Sequence, residues 1–96
     1  MANPIKFAQL ARTLQAKVPY SIISSKGGNS SLSLAFDGPR RRVIVTFREE
    51  DGGDTLGVGA SSDMNDALSV AFPWSISAEM YVVTLVSEFI SYLNME

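Results

Sequence analysis

The 96-residue chain contains no cysteine and no histidine. Disulfides, zinc sites of the Cys/His kind, thiol nucleophiles and imidazole general bases are excluded together. Proline is scarce, at four residues. No apolar run approaches the roughly 20 residues that span a bilayer, and the N-terminus lacks a secretory pattern. The expectation is therefore a cytoplasmic protein with no membrane association. Cations are missing from one half of the chain. All eight (Lys6, Arg12, Lys17, Lys26, Arg40, Arg41, Arg42 and Arg48) lie in residues 1–48 beside a single acid, Asp37, for a net +7. Residues 49–96 hold nine acids and no cation, for a net −9. Such asymmetry either marks a partner surface or disappears when an antiparallel sheet interleaves the halves.

What is present fits one folded domain over residues 1–96: 46% of residues are apolar and 19% charged, too hydrophobic for a disordered chain. Asn3-Pro4 is a favourable helix start, with Asn as cap and Pro at the first helical position. Phe7, Leu10, Ala11 and Leu14 follow the helical stripe. Val18-Pro19 closes it, because a residue before proline is pushed out of helical geometry. Residues 20–60 read as a four-stranded antiparallel meander. Its inward positions are Leu32, Leu34, Phe36, Val43, Val45, Phe47, Leu56 and Val58, alternating with smaller or polar residues. The turns fall at Lys26-Gly27-Gly28-Asn29, Asp37-Gly38-Pro39 and Asp51-Gly52-Gly53-Asp54.

Two helices are expected to follow and to pack on one sheet face, completing an α+β fold. The first, capped by Ser61 or Ser62, carries Met64, Ala67, Leu68, Ala71 and Phe72 and stops at Pro73. Trp74 is expected to anchor the junction in the core. Ser77 caps the second, with Ile76 and Tyr81 spaced as a hydrophobic staple. In that helix Val82, Leu85 or Val86, Phe89 and Leu93 can face the sheet. Val83, Ile90 and Tyr81 or Tyr92 form a second stripe, which either the preceding helix or a second copy of the chain must cover.

No catalytic, cofactor or metal constellation is legible. Glu49, Glu50, Asp51 and Asp54 crowd a turn without the alternating ligands and closing Glu of a calcium loop. Asp63 and Asp66 read as first-turn acids favoured by a helix dipole. The stretches Lys26–Ser31 and Gly57-Val58-Gly59 lack the spacing of phosphate-binding loops. An enzyme is not expected. The most suggestive feature is Arg40-Arg41-Arg42, with Lys26 and Arg48 as candidate neighbours, able to grip phosphates or carboxylates. The outward sheet face (Ser33, Ala35, Arg42, Ile44, Thr46, Arg48, Thr55, Gly57 and Gly59) is small, flat and weakly cationic, and carries no aromatic platform for stacking bases.

Asn3-Pro4, Pro19-Tyr20 and Gly57-Val58-Gly59-Ala60-Ser61 resemble, in places, the pattern of a double-stranded-RNA-binding domain. That resemblance implies helix, three strands, helix, and contact with RNA phosphates. The chain departs from it where a lysine run should follow the serine. Ser62, Asp63, Met64, Asn65 and Asp66 stand there instead, and acids repel phosphate. The family also lacks a long final helix. The leading expectation is accordingly a small non-enzymatic module that binds a partner protein, such as an accessory or inhibitory protein of bacteria or their phages. Nucleic-acid binding through Arg40–Arg42 and a self-associating structural subunit are the alternatives.

Overall fold

The computed structural model describes residues 4–27, 31–62, 67–74 and 78–95. The expected caps at Asn3 and Ser77, the staple residue Ile76, the turn residues Gly28 and Asn29, and Asp63, Met64 and Asp66 lie outside them. The chain runs α1 (Pro4–Lys17), β1 (Ser21–Gly27), β2 (Ser31–Asp37), β3 (Arg42–Glu50), β4 (Thr55–Ser62), β5 (Ala67–Pro73) and α2 (Ala78–Leu93). The class is α+β, as expected. The strands form one antiparallel sheet in the order β1-β2-β3-β4-β5, each paired to its neighbour in sequence.

Register follows from alternation. Leu32 pairs with Phe47, Leu34 with Val45 and Phe36 with Val43, while Phe47 pairs with Val58 and Val45 with Ala60. These residues share one face and are buried, joining Phe7, Leu10 and Leu14 of α1 and Val82, Val86, Ile90 and Leu93 of α2 in one core. Both helices cover that face. They run the same way: Phe7 and Tyr81, early in each, meet Trp74 and Phe72 at the end of β5. Tyr20 and Ser91, just past α1 and late in α2, share a hydrogen bond at 3.0 Å.

Two expectations are corrected. Residues 67–73 are a fifth strand, not a helix: Leu68, Val70 and Phe72 alternate with Ala67, Ser69 and Ala71 and pair with Ala60, Val58 and Leu56 of β4. Ala67, Leu68, Ala71 and Phe72 also satisfy helical spacing, but the strand reading places all three large side chains on one face and closes the edge of β4. Among the described residues, one helix therefore lies on the C-terminal side. The second correction concerns its far stripe. Val83 and Ile90 are buried within the chain, because α1 packs beside α2; a dimer interface through them is not available. Tyr92, by contrast, is exposed.

The β3–β4 turn is a short 3-10 segment, Asp51–Gly53. Asp51, Gly52 and Gly53 take φ of 52°, 67° and 103°, the left-handed region that explains two consecutive glycines. Asp51 tolerates it with its Oδ2 accepting from the Thr55 hydroxyl at 2.9 Å.

Candidate functional site

Among the described residues, nothing covers the face of the sheet opposite the helices. Cross-strand rows across it read Ser33, Thr46, Gly59, Ser69 and, one step along, Ala35, Ile44, Ser61, Ala67. At the β1 side Ser24 and Lys26 stand opposite Ala35 and Ser33. Both cross-strand partners of Ile44, Ala35 and Ser61, are small, and Ile44 itself is 48% exposed. Beside it a shallow depression is lined by Thr46, Arg48, Gly59, Ser61, Ala67 and Ser69. Ser33 and Thr46 hydroxyls bond to each other at 3.3 Å within this pavement. Gly57 lies under the Glu50 carboxylate, so a Cβ at residue 57 would collide with it.

The five cations singled out from sequence do not converge. Lys26 and Arg48 lie near one end of the open face, on strands separated by β2. Arg42 begins β3 at the other end, roughly 20 Å away at about 3.4 Å per residue, and opposite Asp37. Arg40 is exposed on the β2–β3 turn. Arg41 is half-buried and turned to the helix layer, its Nη1 donating to the Leu93 carbonyl at 3.1 Å. A cation there satisfies a terminal carbonyl and the negative end of the helix dipole.

Sequence reasoning missed Asn94. It is buried one residue past α2, and its Oδ1 accepts from the backbone N–H groups of Arg40 at 2.7 Å and Arg41 at 2.5 Å. Its Nδ2 donates to the Ile90 carbonyl at 2.8 Å. Gly38 passes so close to Asn94 that any Cβ would overlap the amide. The arginine turn is thus clamped to the helix end. Its signal was an Asn directly after the last apolar helix residue, a C-terminal capping pattern. Asn94→Ala is expected to cost about 2 kcal/mol, since the Arg40 and Arg41 N–H groups lose their acceptor, while the Ile90 carbonyl keeps the backbone N–H of residue 94; a denaturant midpoint unchanged from wild type would show the clamp to be idle.

Among the described residues no group of three acids could hold a metal ion, and no helix is long and apolar enough to cross a membrane. No protein-family model, no curated protein and no solved structure matches this chain.

Proposed function

We propose that the chain is a non-catalytic module that binds a partner protein through its open sheet face. The observation carrying this reading is Ile44: an exposed β-branched side chain set among Ala35, Ser61 and Ala67, with Arg48 and Lys26 at one end and Arg42 at the other. Small side chains let a partner backbone approach closely, Ile44 supplies the apolar anchor, and the guanidiniums orient an acidic surface. Asp37 and Glu50 border the same face and would narrow the choice of partner by repelling its acids. An accessory or inhibitory role in the cytoplasm, of the kind bacteria and phages encode, is the corresponding biology. The turn arginines favour this over gripping nucleic acid, because Arg41 is committed to the Leu93 carbonyl.

Affinity capture from a lysate, compared between wild type and an Ile44→Asp, Arg48→Glu double variant, tests the proposal. A partner retained by the wild type and lost by a variant of unchanged circular dichroism is the expected result. Equal capture by both overturns it. So does binding of mixed DNA and RNA that falls linearly with the logarithm of salt, which would assign the cations to phosphates.

A further inference from the structure

Among the described residues the sheet has two free edges, β1 and β5, and they are built differently. β1 carries a register break at Ile23, between the Ile22–Phe36 and Ser24–Ala35 pairs, and a lysine at residue 26. Bulges and edge lysines are devices that keep another strand from adding. β5 has neither. Its seven residues are uncharged and pair with β4 without a break, from Ser61–Ala67 to Thr55–Pro73.

The direction of its free backbone groups follows from one bond. The Trp74 N–H donates to the Asp54 carbonyl at 2.9 Å, which makes 54/74 a hydrogen-bonded position. Such positions alternate along an antiparallel ladder. Phe72, Val70 and Leu68 therefore bond to β4, while Ala67, Ser69 and Ala71 direct their N–H and C=O groups outward. All three are exposed. The side chains of Leu68, Val70 and Phe72 face the helix layer but stay only partly buried, whereas Leu34, Val45 and Val58 of the inner strands are at 1% exposure or less. Tyr81 stands edge-on to Phe72 at 4.9 Å and is itself 50% exposed. The apolar layer is unfinished at this edge.

We propose that β5 is a strand-addition edge and that its occupant is β5 of a second copy, antiparallel about Val70. In this register Ser69 and Ala71 exchange backbone bonds with Ala71 and Ser69 of the second copy. The Ala67 N–H reaches the second copy's Pro73 carbonyl, so the missing N–H of proline costs one bond per end. Leu68 meets Phe72, Val70 meets Val70, and the small residues meet on the open side. The strand is its own complement: large apolar residues face large apolar residues, and neither strand brings a charge to the joint. Pairing continues the sheet to ten strands, with both helix layers on one side.

The absence of native cysteine allows a direct test. Val70 and its counterpart occupy a non-hydrogen-bonded position, with Cα atoms about 4.5 Å apart, inside the disulfide range of about 4.4–6.8 Å. The expected results are a wild-type dimer in a sedimentation series at high micromolar concentration, and a Val70→Cys variant that oxidises to a covalent dimer. Ser61→Cys on the open face should stay uncrosslinked under the same conditions. Ser69→Pro removes only an outward N–H and should be a monomer of unchanged circular dichroism; should it fail to fold, Ser69→Lys places like charges at the joint with the same expected outcome. The proposal is overturned by a monomeric wild type, even one that binds a foreign β-strand peptide. A dimer that survives the residue 69 substitution, or crosslinks equally through residue 61, also overturns it.

Discussion

Ile90→Glu is expected to unfold the chain rather than to split a dimer. Ile90 is fully inaccessible, on the side of α2 that α1 and the sheet enclose. The substitution removes an apolar side chain worth about 1.5–3 kcal/mol of burial. It also buries a carboxylate, and an ion buried without a partner costs several kcal/mol more unless it takes up a proton. The sum rivals the roughly 5–15 kcal/mol that holds a domain together. Tyr92→Glu, two residues on but 61% exposed, is expected to stay within about 0.5 kcal/mol of wild type. Thermal melts of the pair separate the two cases. A folded Ile90→Glu protein would mean that the apolar stripe at Val83 and Ile90 does face outward.

Phe47→Ala is expected to cost about 3–5 kcal/mol. Phe47 is fully buried on the central strand, paired with Leu32 on one side and Val58 on the other. Three strands therefore border the void, and a paired sheet collapses poorly into a cavity. Urea unfolding should show a lower midpoint at unchanged slope, the sign of lost stability without a change in the unfolded state. An unaltered midpoint would mean that the register of β3 is off by one residue, since a single step turns Phe47 to the open face.

The parts of the fold legible in sequence are those where one signal acts alone. Leu34, Phe36, Val45 and Phe47 alternate over whole strands, and no helical stripe fits them. α1 opens at Pro4 and closes before Pro19, with residue types whose geometry permits little else. Residues 67–73 were ambiguous because Ala67, Leu68, Ala71 and Phe72 obey the helical period while Leu68, Val70 and Phe72 obey the strand period. The free edge of β4 settled it, and an edge is not visible until the sheet is assembled. Val83 and Ile90 failed for the same reason: their cover comes from α1, some seventy positions earlier in the chain. At the candidate site, Ile44 was legible as an apolar residue out of phase with Val43 and Val45. The scattering of the five cations was not, because adjacency in sequence says nothing about which way three successive arginines point once the turn is clamped by Asn94.

Pairing each strand only with its neighbour in sequence also sets an order of events for folding. Only a few residues separate each strand from its partner, so the sheet can zip from strand to strand at little loop-closure cost. The helix pair is the opposite case, joining the two ends of the chain across everything between them. Its formation belongs late in the reaction, after the meander has set the ends at the right distance. Substitutions in β2–β4, such as Phe47→Ala, should therefore slow refolding, whereas those at the α1–α2 contact should chiefly quicken unfolding. During synthesis the same order leaves the part of the sheet's apolar face that α2 covers bare until residues 78–93 leave the ribosome. In that interval the β5 edge and the part of the core face that awaits α2 are exposed together, and a chaperone has the most to hold.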